Sequence, residues 1–316
     1  MNNSLTVFNA VLPVFCIIAA GFAIRRVGWL TEEADQSLLR LTINVLMPCL
    51  ILDSVLGNAS LTRLGNVLFT PTMGFVSVGI GLAVGLMGRS LAGLPAGPRS
   101  RTFALTVGVY NYGYMSIPLA ALLFKGGDTM GVLFVFNVGV EAAIWTLGLL
   151  VLSGTSLKQS VRKLASPPVI SMALALVLNV AGGKDWLPAF VQQTAHMLGQ
   201  CTIPLGLVLV GATIADQLPE FHAEKGWRVM GAACALRLFG VAALFLLLAK
   251  YLPCPVELKQ VLVLQSAMPA AVFPIIMARH YGGDPATALR VVIGTTAASF
   301  VTIPLVLKLG FQFVGV

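Results

Sequence analysis

Charge is what this sequence lacks most. Only 10% of its 316 residues are Asp, Glu, Lys or Arg, whereas 57% are hydrophobic. Soluble domains carry roughly 25% charged residues, so this chain has too few of them to cover a water-exposed surface. The mean hydropathy is +0.90. The composition excludes an ordinary soluble domain and predicts that lipid surrounds most of the molecule.

The chain also lacks the short motifs of common catalytic and metal sites. It has no GxSxG, no HExxH, no P-loop, and no GxGxxG that opens a helix after a strand. Its three histidines and five cysteines form no CxxC pair and no group with metal-ligand spacing. We therefore expect no enzyme, no catalytic residue, no metal and no cofactor. The net charge of +8 comes without a long basic cluster, so nucleic acid is not an expected partner.

What the chain has instead is a series of apolar segments about as long as a membrane-spanning helix. A helix needs about 20 apolar residues to cross roughly 30 Å of hydrocarbon. Runs this long, without period-2 alternation, favour helices over barrel strands. We predict ten spans, at about 6–24, 37–57, 66–88, 102–124, 129–153, 167–182, 195–215, 227–250, 257–280 and 287–312.

The distribution of Lys and Arg predicts the orientation of these spans. No positive charge precedes the first apolar run, and Arg25 and Arg26 follow it, so we expect an uncleaved first helix with its N-terminus outside. Twelve basic residues then flank the cytoplasmic loops and five flank the opposite loops, the bias typical of membrane proteins. Both termini would lie on the extracytoplasmic side of a bacterial inner (plasma) membrane. The twelve are Arg25, Arg26, Arg89, Arg99, Arg101, Lys158, Arg162, Lys163, Lys225, Arg228, Arg279 and Arg290, and the five are Arg63, Lys125, Lys184, Lys250 and Lys259.

The two halves of the chain carry the same landmarks. "PLAALLFKGGD" ends at Asp128, and "PIIMARHYGGD" ends at Asp284, 156 residues later. Pro118 and Pro274, which begin these stretches, are also 156 residues apart. The prolines of "VLMPCLIL" and "CTIPLGLV" have the same spacing. Three landmarks in one register indicate an internal repeat.

Five spans in each half would turn the second half over in the membrane, because five is an odd number. The predicted repeats are residues 1–153 and 167–316, joined by a short cytoplasmic linker at 154–166. The predicted fold is thus an all-α integral membrane protein of ten helices in two inverted five-helix repeats. Many secondary transporters have this architecture, with the substrate site near the midplane at paired interrupted helices.

The fourth and ninth spans are the ones that we expect to be interrupted, the fourth around Asn111–Pro118. "NYGYMSIPL" begins at Asn111, and "LQSAMPAAVFPIIMA" contains two prolines, each of which removes a backbone hydrogen bond. Freed backbone groups inside a membrane are tolerated only against protein or a wet cavity. The N-terminal ends of the half-helices would attract anions. The alternative is a proline kink without a ligand. The expected polar lining is Asn111, Tyr112 and Ser116 with Gln265 and Ser266.

Two ionisable residues lie deep inside predicted spans, where charge is costly. Glu141 lies near the middle of the fifth span and Arg237 near the middle of the eighth. They would form either a fixed salt bridge or a functional pair, in which Arg237 favours an anion and Glu141 couples transport to protons. Trp145 lies too deep for an interfacial anchor, and we expect it to serve packing.

Three stretches of the chain resemble the auxin efflux carrier family. They are "LTINVLMPCLIL" in the second span, "NYGYMSIPL" in the fourth, and "SAMPAAVFPIIMARHYGGDPATALRVVIGTTAASFVTIPL" at residues 266–305. The resemblance covers nearly the whole chain, and its C-terminal motif is the most specific part. This family includes plant auxin exporters and bacterial permeases for malate and malonate.

The resemblance implies the fold of sodium–proton antiporters and bile-acid symporters, in which the fourth and ninth helices cross at the centre. Helices 1, 2, 6 and 7 would form a scaffold, and helices 3–5 and 8–10 a core that moves past it like an elevator. The family's crossover site matches Asn111, Gly113, Pro118, Pro269 and Pro274. The repeat equivalent of Asn111 is Ala267, so the second half lacks the matching amide of some relatives.

The sequence therefore predicts a secondary active transporter or uniporter for a small organic anion. The expected substrate is a carboxylate such as malate, malonate or an auxin-like acid, with protons as the coupling ion and a homodimer as the assembly. The alternatives are an anion channel and a carrier of a cation or neutral metabolite on the same fold. A membrane-embedded sensor would usually need a long polar segment, and the sequence has none.

Overall fold

A computed structural model of the protein describes residues 4–62, 64–124, 128–153, 167–221 and 226–316. Within these ranges the chain is helical, and the only pairing of β type is one isolated bridge. The helices are α1 Ser4–Val27, α2 Glu32–Val55, α3 Leu64–Met87, α4 Pro98–Gly108, α5 Ser116–Leu123, α6 Thr129–Ser153, α7 Pro167–Val180, α8 Gly183–Trp186, α9 Ala189–Phe221, α10 Trp227–Tyr251, α11 Val256–Ser266, α12 Phe273–His280 and α13 Pro285–Val314.

Six of the described helices are long and apolar enough to cross a membrane, namely α2, α3, α6, α9, α10 and α13. Helix α1 has 24 residues, and α7 is a shorter apolar helix. An integral membrane protein is therefore confirmed, while the count of ten spans and their inverted layout stay predictions. The predicted linker 154–166 and the repeated Gly126 and Gly127 lie outside the described residues.

Two of the predicted spans are each divided into a pair of half-length helices. The first break separates α4 from α5 at residues 109–115, and the second separates α11 from α12 at residues 267–272. Helix α5 already begins at Ser116, so Ser116 and Pro118 belong to the helix and not to the break. Pro274 lies in the first turn of α12, where its missing N–H removes no intrahelical bond.

The two breaks meet and satisfy each other's backbone groups. The N–H of Asn111 donates to the carbonyl of Pro269 at 2.8 Å, and the N–H of Ala271 donates to the carbonyl of Val109 at 2.9 Å. These bonds form the isolated antiparallel bridge. Unpaired N–H and C=O groups would be very costly in a membrane. Each break therefore supplies hydrogen-bond partners for backbone groups that the other break leaves unpaired.

The helices around the crossover pack at close range. A Cβ built on Gly139 of α6 would lie 1.7 Å from the carbonyl oxygen of Pro71 in α3. In the reverse direction, a Cβ on Gly74 of α3 would lie 2.0 Å from the carbonyl oxygen of Phe136. Small residues of this kind let membrane helices approach backbone to backbone. Helix α3 also packs on α4, while α1 packs on α9, and α2 packs on α9 and α7.

Three of the described helices contain a π-helical turn, which the sequence did not predict. These turns are Thr42–Leu46 in α2, Ile144–Gly148 in α6 and Ala235–Val241 in α10. A π turn inserts one extra residue and thereby rotates the side chains that follow, and such turns are frequent at functional sites. The first two turns contain Ile43 and Trp145, which line a cavity beside the breaks, and the third contains Arg237, which bonds to backbone carbonyls next to the second break.

Candidate functional site

A cavity of about 340 Å³ lies beside the two helix breaks. Its volume is at the lower end of the 300–1,000 Å³ range of small-molecule sites. Most of its lining is apolar, with a few polar side chains. It is lined by Ile43, Met47, Ile51, Asn111, Tyr112, Gly113, Tyr114, Ile117, Phe134, Asn137, Val138, Glu141, Trp145, Pro168, Val169, Met172, Ala271, Val272 and Phe273.

The carboxyl group of Glu141 is the acidic group of this cavity. The hydroxyl of Tyr112 donates to Glu141 Oε1 at 2.7 Å, and Trp145 forms a second side-chain hydrogen bond with the same carboxyl group. Tyr112 belongs to the first break, whereas Glu141 and Trp145 lie on α6. The carboxyl group is therefore held between a packed helix and the interrupted segment.

Asn137 connects α6 to both interrupted segments. Its Nδ2 donates to the carbonyl of Tyr112 at 3.0 Å, and its Oδ1 accepts from Gln265 Nε2 at 3.4 Å. Gln265 lies in the last turn of α11, just before the second break. Sequence reasoning missed Asn137, although a signal was present. It precedes Glu141 by four residues, which places the two side chains on one helix face.

Two helix N-termini border the cavity. Gly113, Tyr114 and Ile117 line it at the start of α5, and Val272 and Phe273 line it at the start of α12. The first N–H groups of a helix have no intrahelical partner and carry partial positive charge. Among the described residues that line the cavity there is no Lys, Arg or His. Any positive charge that the described lining offers a ligand would therefore be the partial charge of backbone N–H groups.

Four of the predicted site residues line the cavity, and the others lie outside its lining. The four are Asn111, Tyr112, Gly113 and Glu141. The hydroxyl of Ser116 donates to the carbonyl of Tyr112.

Ser266 Oγ donates to the carbonyl of Val263 at 2.7 Å, so both serine hydroxyls serve the local backbone instead of the cavity. Pro118 borders a much smaller cleft. Pro269 and Pro274 shape the second break, and Gln265 reaches the cavity only through Asn137.

Arg237 is completely buried behind the second break. Its Nε donates to the carbonyl of Met268 at 2.9 Å, and its Nη2 donates to the carbonyl of Gln265 at 2.7 Å. The guanidinium carbon also lies 4.6 Å from the ring centre of Tyr110 and 5.3 Å from that of Phe245. The planar fork of an arginine fits such a pair of acceptors. Arg237 thus donates hydrogen bonds to backbone carbonyls at the C-terminal end of α11.

The salt bridge between Arg237 and Glu141 that the sequence left open is not found among the ion pairs of the described residues. The physical reason is that each group already has other partners. Arg237 bonds to backbone carbonyls, and Glu141 bonds to Tyr112 and Trp145. Arg237 is also not among the residues that line the cavity, so any contact between its charge and a ligand would be indirect.

These features describe a cavity beside two interrupted apolar helices. Comparison with known proteins gives the family of the chain. The sequence profile of the family described as "Membrane transport protein" matches residues 6–161 and 155–307. The chain belongs to this family. The predicted resemblance to auxin efflux carrier-type transporters is thereby confirmed.

Two curated relatives of this membrane transport protein come from archaea. An "Uncharacterized transporter" of Methanothermobacter thermautotrophicus is 24% identical over 304 residues, which are 94% of this chain and 96% of that protein. "Uncharacterized transporter MJ1031" of Methanocaldococcus jannaschii is 23% identical over 303 residues, with the same shares. The family and both relatives are transporters, which points to transport and away from catalysis.

In this membrane transport protein, Trp145 does more than pack between helices, which is the role we expected from the sequence. Its side chain lines the cavity, and its ring meets that of Phe273 edge to face, with centroids 5.4 Å apart. The signal that sequence reasoning passed over is again the spacing, because Trp145 follows Glu141 by four residues. The cavity therefore combines one carboxyl group, two amides and an aromatic wall.

Proposed function

We propose that the chain is a secondary carrier for a small organic anion, a carboxylate, that moves together with a proton. The observation that carries this proposal is the cavity itself, where two helix N-termini and one carboxyl group face the same space. Backbone N–H groups at helix starts are suited to a carboxylate. The amide of Asn111 offers a further donor at the same place.

The proton follows from the presence of Glu141. A bound anion and an ionised Glu141 would repel each other strongly in a medium of low dielectric constant. Tyr112, Tyr114 and Trp145 are the polar groups that act on Glu141, and the described lining offers no basic side chain to offset the repulsion. The anion would therefore bind when Glu141 carries a proton, and the two would cross together. Uniport would require either that the anion binds beside ionised Glu141 or that Glu141 keeps its proton throughout the transport cycle.

For the architecture we propose ten helices in two inverted repeats, residues 1–153 and 167–316, with the linker 154–166 in the cytoplasm. The scaffold would comprise α1, α2, α7 and α9, which pack on one another, and the core would comprise α3 to α6 and α10 to α13, including the two interrupted helices. The cavity is lined by α2 and α7 on one side and by α6 and the two breaks on the other. An elevator movement between these groups would carry the cavity across the membrane.

We also propose an orientation in the membrane and an oligomeric state for the carrier. We place both termini on the extracytoplasmic side of a bacterial-type plasma membrane, following the distribution of Lys and Arg, and we place two copies of the chain in a homodimer, following the family resemblance. Cysteine labelling of each terminus in intact cells, and mass measurement of the purified protein in detergent, would test these two points.

Uptake into proteoliposomes tests the carrier. We would supply labelled malonate, malate, oxalate or indole acetate, with and without an inward proton gradient. We expect saturable uptake of at least one acid, accelerated by the gradient. If folded protein takes up none of them, the carboxylate assignment is wrong.

Two variants of Asn111 serve as matched controls in the same assay. Asn111 Oδ1 accepts from the N–H of Met115 at 3.2 Å, and Asn111→Asp keeps this acceptor while adding negative charge to the cavity. Anion uptake should fall in Asn111→Asp at least as far as in Asn111→Ala. Equal uptake by the wild type and by Asn111→Asp would place the anion elsewhere.

A second candidate function is the exchange of an organic cation for protons. It is favoured by the carboxyl group and by the aromatic rings of the cavity, since rings and carboxylates bind cations. The Asn111→Asp variant separates the two functions, because the added charge should raise cation uptake and lower anion uptake. An anion channel is separated by counterflow: a carrier accumulates labelled substrate against unlabelled substrate, whereas a channel passes ohmic current.

A further inference from the structure

Trp145 lies beside the carboxyl group on which proton coupling would depend. It lies four residues after Glu141 on α6, within the π turn Ile144–Gly148. Its side chain is half-buried and lines the cavity. Of the four tryptophans in the chain, the other three are Trp29, Trp186 and Trp227, which are 81%, 58% and 74% exposed. Trp145 is thus the tryptophan of the cavity.

Two contacts link Trp145 to the groups on which transport would depend. It forms a side-chain hydrogen bond with Glu141. Its ring also lies edge to face with that of Phe273, at 5.4 Å between centroids and an interplanar angle of 75°. Phe273 is the first residue of α12, directly after the second break. Trp145 therefore connects the carboxyl group to the start of a half-helix.

We propose that Trp145 positions the carboxyl group of Glu141 and, together with Phe273, forms the wall that limits the size of the ligand's apolar body. The size limit rests on the proposed carrier function. The positioning of Glu141 does not, because it concerns a contact that exists without a substrate.

The chemistry of the indole group explains the positioning role. An indole N–H can donate a hydrogen bond but cannot accept one. The carboxyl oxygen that it contacts must therefore be an acceptor, and Tyr112 donates to the same group at Oε1. A protonated carboxyl group accepts hydrogen bonds more weakly than an ionised one, so both contacts weaken when Glu141 takes up a proton. Trp145 thus senses the protonation state of Glu141.

Fluorescence of a single-tryptophan variant tests the positioning role without any substrate. Trp29, Trp186 and Trp227 would each be replaced by Phe, which leaves Trp145 as the emitting residue. We expect its emission to change with pH in one titration step, and this step to disappear when Glu141→Gln is added. A step that persists with Glu141→Gln, or emission that does not change with pH, would overturn the positioning role whether or not transport is observed.

Two replacements of Trp145 separate its ring from its N–H group in the uptake assay. Trp145→Phe keeps an aromatic wall but loses the donor, so the pH at half-maximal uptake should move by about one unit, while selectivity among acids stays as in wild type. Trp145→Ala removes the wall, so uptake of indole acetate relative to malonate should rise by about tenfold, the factor that corresponds to a difference of roughly 1.4 kcal/mol.

Each variant is the control for the other, because Trp145→Phe removes only the N–H group whereas Trp145→Ala removes the ring as well. Equal changes of selectivity in Trp145→Phe and Trp145→Ala, or no change in Trp145→Ala, would show that the ring does not limit ligand size. An unchanged pH profile in Trp145→Phe would show that the N–H group does not position Glu141. If the wild type takes up none of the acids, the size limit fails with the carrier function, and the fluorescence titration alone decides the positioning role.

Discussion

The hydrogen bond between Tyr112 and Glu141 supplies the most quantitative prediction. The two side chains come from different elements, and the O–O distance is 2.7 Å. A hydrogen bond to an ionised group contributes about 1.5–3 kcal/mol, and one between neutral groups about 0.5–1.5 kcal/mol. The strength of this contact should therefore depend on whether Glu141 carries a proton.

A double-mutant cycle measures that strength. The variants are Tyr112→Phe, Glu141→Gln and the combination, and the measured quantity is the free energy of unfolding in mixed detergent micelles. We expect a coupling energy of about 2 kcal/mol at a pH where Glu141 is ionised, and about 1 kcal/mol or less where it is protonated. Tyr112→Phe combined with Thr194→Val, a distant exposed hydroxyl, should show no coupling.

The outcome that would refute this reasoning is a coupling energy that does not change with pH. A value below about 0.5 kcal/mol at every pH, which is the usual scatter of independent sites, would also contradict the contact. A substantial coupling energy that is the same at every pH would mean that Glu141 does not exchange a proton in this cavity, and proton coupling through it would be abandoned.

The remaining predictions concern packing and the buried charge. Gly139→Ala should lower the unfolding midpoint, because its Cβ would lie 1.7 Å from the carbonyl oxygen of Pro71, whereas Gly231→Ala, with open space around it, should leave the midpoint unchanged or raise it. Arg237→Lys should destabilise the protein by about 1–3 kcal/mol, since one ammonium group cannot span the two carbonyls that the guanidinium contacts; an unchanged midpoint would contradict this. Asn179→Ala should cost a similar amount, because its side chain bonds to the backbone of the loop after α2 at 2.7 and 3.1 Å; thermal unfolding in detergent would show whether it does.

Composition and helix-breaking residues were enough to predict the apolar helices and the two interrupted spans. Lipid forces apolar helices of a certain length, so each predicted span contains a described helix. The prolines and polar residues of the fourth and ninth spans correctly predicted that both spans are interrupted. The boundary of the first was less well predicted, because Ser116 and Pro118 can start a helix as readily as break one, and α5 begins at Ser116.

The features that the sequence could not predict depend on how helix faces are rotated. A π turn inserts one residue without any fixed sequence signal, so the spacing of Trp145 from Glu141 suggested a shared helix face but could not fix the direction of the Trp145 side chain. The partner of Arg237 was open for a similar reason. A buried guanidinium can bond to a carboxylate or to free carbonyls, and only the position of the second break shows which of them lies within reach.

The most direct test of the central claim is a measurement of proton movement driven by the substrate. Proteoliposomes would contain a pH-sensitive dye, and malonate, malate or oxalate would be added outside, with protein-free vesicles as the control for passive entry of acid. We predict saturable acidification of the lumen by the wild type, and acid exchange without acidification by Glu141→Gln. Acidification by Glu141→Gln at the wild-type rate, or none by the wild type with any transported acid, would contradict the account.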